Sequence, residues 1–342
     1  MEKGTYILVL SGPDSNYWGQ QPHFESVLLE NHSDTMQLLS VSDNNNETFF
    51  SDLSFPTPSK NIPRAILDIL ENLSILDQSG RKVSLIKSTL RCGERYKDIY
   101  RPIFLSEFRD IGNRNVKLGI PSEYYQDSPI SNTTEYCNYI RQLEIILDEL
   151  FEIFKVVEPH SSKKTKSNLE TYGNRIRNVI ILACTEVDAL LKTILKGNNV
   201  KSEGKNYCMV DYLKLKEPMC LDCYTISFRY IKDIGEWSPF KKWYSNSPEW
   251  YQSYNKVKHD RFKNIEKATL ANAINAIMAF AIVLAARYGY RNDIWTEKIG
   301  KVLQVKKEPV WNIRDFYIPP LENQSMSFVP FTEFYPRKRI KQ

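Results

Sequence analysis

Glycine is scarce in this chain, 13 residues in 342, and none falls in the spacing of a Walker phosphate loop, a dinucleotide-binding turn or a nucleophile elbow. Those motifs need glycine because the backbone must turn sharply or approach a phosphate closely, so kinase, dehydrogenase and α/β-hydrolase chemistries fall away. The six cysteines (Cys92, Cys137, Cys184, Cys208, Cys220, Cys223) are irregularly spaced and form no disulfide framework. With no apolar leader at the start, reduced thiols and a cytoplasmic location are expected. Cys220 and Cys223 have the spacing of a chelating pair, but no second pair lies nearby and no His stands between residues 161 and 258. Four closed zinc ligands cannot be assembled locally, so neither a metal nor another cofactor is expected. A formal charge of +5 is small for this length and argues for a local basic patch, not a polyanion-coating surface. No internal repeat marks a solenoid or propeller.

What is present divides along the chain. Residues 6–10, 26–30, 35–41 and 82–90 are short runs rich in β-formers, separated by Asn, Asp, Ser, Gly and Pro clusters such as 42–46. A helix is predicted over 64–73, after Pro63, a residue favoured at helix starts. Arg91, Arg95, Lys97 and Arg101 alternate with Tyr96 and Tyr100 in a pattern that fits either a solvated loop or a surface that stacks bases.

Residues 126–134 read as a linker. Beyond them Ile140, Leu143, Leu147, Leu150, Phe151 and Phe154 recur at three and four residues, which predicts an amphipathic helix ending before Pro159. A second helix is predicted over 168–196, its apolar face made by Ile176, Ile180, Cys184, Val187, Leu191 and Ile194 and its stop by Gly197 and Asn198. Its polar residues Arg175, Arg177, Glu186 and Asp188 either face water or supplement chemistry on a facing helix. A short helix at 209–216 and an extended run at 224–230 follow. Trp237, Trp243 and Trp250 then anchor a loop by packing or, if exposed, stack on bases.

A long apolar helix is predicted over 264–288. Residues 268–286 carry no charge and are long enough to cross a bilayer, yet Asn272, Asn275 and many alanines fit a buried central helix better, and no membrane partner is expected. From residue 291 onward Trp311, Phe316, Tyr317 and further aromatic residues predict a segment that wraps back onto a domain or a partner subunit, ahead of a basic end at 337–341.

The stretch Tyr254, Asn255, Lys256, Val257, Lys258, His259, Asp260, Arg261 concentrates chemistry at the mouth of that apolar helix. A His accepts a proton from a hydroxyl near neutral pH, and neighbouring Lys and Arg hold a phosphate and stabilise charge developing on it. That combination suits RNA cleavage without a metal.

These residues resemble the HEPN superfamily, helical-bundle ribonucleases of prokaryotic defence and toxin systems, over about residues 130–290. The family motif is an Arg, a polar residue, a short spacer and a His. Asn255 and His259 match its polar and His positions, whereas Tyr254 occupies the Arg position, leaving Lys256, Lys258, Arg261 or Arg175 to stand in. The resemblance implies His259 as general base on the ribose 2′-hydroxyl, Asn255 orienting it, and Lys258 and Arg261 neutralising the phosphorane. Arg175, Lys256, Lys263 and Tyr254 would contact RNA. It also implies a homodimer with two facing sites and a role in anti-phage defence or as a toxin.

The expected fold class is α+β, with a mixed, β-rich domain at 1–128 acting as sensor for a protein partner or phage trigger, a helical bundle at 132–290 and an aromatic extension at 291–342. The alternative is a bundle of the same kind that binds nucleic acid or protein without cutting.

Overall fold

The computed structural model describes residues 1–11, 25–42, 48–50, 53–73, 82–102, 134–161, 167–318 and 327–329. The chain is α+β and forms two compact units. The first comprises Met1–Arg95, Arg101–Pro121 and Trp311–Val329; the second comprises Tyr96–Tyr100, Ser122–Val310 and Pro330–Gln342. Of the linker expected at 126–134, residues 126–133 lie outside the described residues, as does the basic end at 337–341, and Thr134 opens the first long helix.

In the first unit, β1 (Gly4–Ser11), β2 (Glu25–Asn31), β3 (Thr35–Ser42), β4 (Thr48–Phe50) and β6 (Lys82–Lys87) form an antiparallel sheet in the order β4-β3-β2-β1-β6. The short β5 (Ser54–Pro56) pairs with the other end of β3. Alternation sends side chains to opposite faces, and both faces are apolar. Tyr6, Leu8, Val27, Leu29, Met36 and Leu38 pack with Phe55 and with Ile66, Leu67 and Leu70 of α1 (Ile62–Asn72). Ile7, Leu28 and Leu39 pack on the opposite face with Ile313, Phe316 and Ile318. Leu38 and Leu39, adjacent on β3, join different faces by the same alternation, and the β2–β3 register shifts between Leu28 and Leu29 beside them. The aromatic segment after residue 310 thus serves as the second cover of this sheet.

Two sequence expectations change here. The strand predicted to 90 ends at Lys87: the Ser88 amide still bonds the Thr5 carbonyl at 2.9 Å, but the Thr89 amide leaves the sheet for the Arg314 carbonyl at 2.8 Å. Arg95 and Arg101 do not belong to a solvated or base-stacking surface: both are buried, and the Arg101 guanidinium lies 5.8 Å from the Trp311 ring and 6.0 Å from the Tyr317 ring.

The second unit is built on four helices: α2 (Thr134–Phe154), α3 (Asn174–Gly197), α5 (Glu249–His259) and α7 (Leu270–Tyr288), with the short α4 (Met209–Tyr212) and α6 (Arg261–Asn264) between them. Every apolar position predicted on the face of α3 is buried. α7 packs against α2, α3 and α5 and is buried nearly all round, so its membrane-compatible length is spent inside the protein. α8 (Asp293–Lys298) follows, and a three-stranded antiparallel sheet places β7 (Thr225–Phe228) between β8 (Glu236–Trp237) and β9 (Leu303–Lys307).

Both long helices start later than the periodicity predicts, for one shared reason. Tyr172 forms a β-bridge with Thr269, and the amides of Leu270 and Ala271 donate to the carbonyls of Thr171 and Leu169, each at 2.8 Å. The backbone donors at the start of α7 are therefore satisfied by the chain leading into α3, which stays out of the helix, turning at Asn168–Thr171, to supply them. Thr269 completes the start by accepting from the Asn272 amide, a cap worth about 1 kcal/mol. Asn272, the polar residue that argued against a membrane span, donates to Ser253 Oγ of α5 at 2.8 Å and to the Lys267 carbonyl at 3.0 Å.

Candidate functional site

α5 carries its apolar side chains, Trp250, Tyr251, Tyr254 and Val257, into the unit and leaves Asn255, Lys256, Lys258 and His259 exposed. Asn255 and His259 are four residues apart and so lie on one face of the helix. His259 is the last residue of α5, not the opening of the long apolar helix. Asp260 accepts from the Lys263 amide and starts the separate turn α6, and a 3-10 turn at Ile265–Lys267 takes the opening of the helix predicted to run from 264. The cations of the last turn of α5 meet the partial negative charge of its unpaired carbonyls, a favourable arrangement of a few tenths to about 1 kcal/mol each. The His259 ring has no hydrogen bond or ion pair among the described residues, so both its nitrogens are open to a ligand.

Tyr254, expected on the RNA-binding surface, is only 2% exposed, and its hydroxyl accepts from Lys258 Nζ at 2.9 Å. The same ammonium lies 4.9 Å from the Tyr254 ring. The Tyr254 hydroxyl raises the Lys258 pKa above its ordinary value, against the effect of desolvation and with help from Asp188. Lys258 is thus a positioned, firmly protonated cation. Arg261 is exposed beside Phe262, and Lys263 is exposed with its Nζ 3.7 Å from the Asp260 carboxylate.

Behind α5, Asp188 of α3 accepts from the Tyr251 hydroxyl at 2.8 Å. Burial pushes its carboxyl pKa up, opposed by the Tyr251 bond and by Lys258 and Lys192. The Cys184 thiol one turn earlier is raised well above its usual range by burial and by Asp188. Asp188 thus reaches α5 from α3, whereas the half-buried Glu186 is raised by burial alone.

Arg175 does not join the His259 end. Its Nη2 lies 3.6 Å from Glu149 of α2. Arg177, two residues on and so about 200° around the helix, instead donates its Nε to the Val257 carbonyl at 3.1 Å. The sequence signal that separates them is the position of Arg177 beside the buried Ile176 and Ile180 on the edge facing α5, and it becomes readable only once the neighbouring helices are known.

The tryptophans are anchors. Trp243 and Trp250 are buried, and Trp250 Nε1 donates to the Pro239 carbonyl at 3.1 Å. The cysteines at 208, 220 and 223 point Sγ toward Asp211, the Glu217 carbonyl and Asp222 respectively, and among the described residues no group of three metal-ligating side chains converges. No family model, curated protein or solved structure matches this chain.

Proposed function

We propose that the chain is a cytoplasmic, HEPN-like endoribonuclease acting in anti-phage defence or as a toxin, with the exposed end of α5 as its active face. The observation that carries this reading is the joint exposure of His259 and Asn255 on one helical face, flanked by Lys256, Lys258 and Arg261. His259 takes the proton of a ribose 2′-hydroxyl, O2′ attacks the adjacent phosphorus, and the bond to O5′ breaks. The imidazolium or water returns a proton to O5′, and a 2′,3′-cyclic phosphate remains. Lys258, positioned by its bond to the Tyr254 hydroxyl, and Arg261 offset the charge that builds on the phosphorane. Asn255 orients the imidazole or the phosphate, and Lys256 and Lys263 extend the basic surface along the RNA backbone. In this reading two copies pair through their bundles, and the β-rich unit receives a protein partner or phage trigger.

A second reading, a bundle that binds nucleic acid or protein without cutting, is favoured by one observation. The side chain at the motif's Arg position, Tyr254, is buried and bonded within the unit, so it presents no phosphate contact. Induced expression of wild type beside His259→Ala, with cut RNA ends mapped for 2′,3′-cyclic phosphate, separates the two. Cleavage reduced by about a hundredfold or more in the variant supports catalysis. Equal cleavage in both strains removes His259 from the reaction, and intact RNA in both favours the binding module.

A further inference from the structure

Phe262 is 92% exposed, the most exposed aromatic ring among the described residues. It stands three residues after His259 in α6, a turn whose start is held by the Asp260 side chain accepting from the Lys263 amide. Trp243, Trp250, Tyr251, Tyr254, Phe240 and Phe280 lie within the core of this unit, and of its exposed rings Tyr172, Tyr230 and Tyr244 carry a hydroxyl, whereas Phe262 has no polar group to meet water. The Arg261 guanidinium carbon lies 5.8 Å from the centroid of the Phe262 ring. Lys256, Lys258 and Lys263 are exposed on the same short stretch of chain.

A bare phenyl ring in water is a poor resting state, and what covers it must tolerate this concentration of cations. An apolar protein patch would have to desolvate those ammonium groups, which is costly. A nucleotide satisfies both demands, because its base offers a flat π-face to the ring and its phosphate meets the guanidinium and ammonium groups beside it. We propose that Phe262 is a base-stacking platform, with Arg261 holding the phosphate of the stacked nucleotide. The ligand is then RNA unpaired at this position, since a base inside a duplex has no free face to offer. This inference rests on the RNA-directed reading of the α5 face and adds to it a specificity residue and a requirement for an unpaired nucleotide next to the scissile bond.

The test uses the full chain carrying His259→Ala, so that cleavage does not enter. Affinity is measured by fluorescence anisotropy, at one fixed salt concentration, for a labelled single-stranded RNA and for the same strand annealed to its complement. Phe262→Ala in that background is expected to weaken single-strand binding by about tenfold or more, the scale of one lost base stack, and to leave duplex binding unchanged. Phe262→Trp and Phe262→Tyr should retain the parent affinity. Unchanged single-strand affinity in Phe262→Ala, or an equal loss for duplex, overturns the proposal, as does a parent chain that binds neither RNA. A fall in mass from two chains to one in Phe262→Ala with RNA affinity intact also overturns it, assigning the ring to an interface between copies. A parent that binds single strands while wild type fails to cut them defeats the nuclease reading alone and leaves the stacking result to stand or fall separately.

Discussion

Arg177 of α3 donates its Nε to the carbonyl oxygen of Val257, 3.1 Å away in the last turn of α5. The bond joins the first turn of one helix to the last of another and puts a guanidinium against carbonyls that carry the negative end of the α5 dipole. The position of His259, two residues beyond Val257, depends on how firmly that last turn is held.

Replacement of Arg177 is therefore expected to cost more than replacement of its neighbour. Arg177→Ala should lower stability by about 1.5–3 kcal/mol, the range for a hydrogen bond from a charged donor. Arg175→Ala should cost about 0.5 kcal/mol or less, because its partner Glu149 is well exposed and such surface pairs contribute little. Urea denaturation of the two variants beside wild type decides the matter, and equal losses would show that the Val257 contact does not stabilise the helix end.

Arg287 of α7 gives the largest expected effect. Its side chain is 3% exposed, and Nη2 lies 3.3 Å from Asp98 Oδ1 and 3.3 Å from Glu135 Oε1. Its guanidinium carbon is 4.7 Å from the Tyr288 ring centroid. Among the described residues Nε and Nη1 have no hydrogen-bond partner, so stacking and the two carboxylates must offset their desolvation. Arg287→Ala removes the cation but leaves the largely buried Asp98, and should destabilise by about 3 kcal/mol or more. Asp98→Asn keeps a polar acceptor and Glu135, and should cost about 1 kcal/mol. Thermal unfolding of both variants tests the order; a smaller loss for Arg287→Ala than for Asp98→Asn would refute it.

Asp188 supplies a pH dependence. Burial raises its pKa in the folded chain above the unfolded value. Between those two values the folded state holds more protons than the unfolded one, so the contribution of this group to stability falls as pH rises through that interval. Asp188→Asn keeps an oxygen to accept from the Tyr251 hydroxyl and has no charge to bury. The variant should be more stable than wild type at neutral pH, and the difference should vanish as pH falls below the ordinary carboxyl range. Denaturation midpoints measured across that range check it, and a difference that does not change with pH would assign the effect to packing.

By itself the sequence determined the class of the fold and the identity of its main elements. The run of β-formers from Tyr6 to Leu10 marks a strand, and Ile176, Ile180, Cys184, Val187, Leu191 and Ile194 mark one buried face of α3. Both are local patterns, set by side-chain periods of two and 3.6 that neighbouring residues impose on one another. The clustering of Asn255, Lys256, Lys258, His259 and Arg261 was legible for the same reason. Only the tertiary structure decided which residues finish each element and each site. The bridge between Tyr172 and Thr269 delays two helices by pairing backbone groups almost a hundred residues apart, and no local pattern records such a pairing. The choice of Arg177 over Arg175, the burial of Tyr254 under Lys258, and the use of Phe316 and Ile318 to cover the sheet of the first unit follow from the same cause. A side chain's partner is fixed by what packs opposite it, and that is a property of the folded chain as a whole.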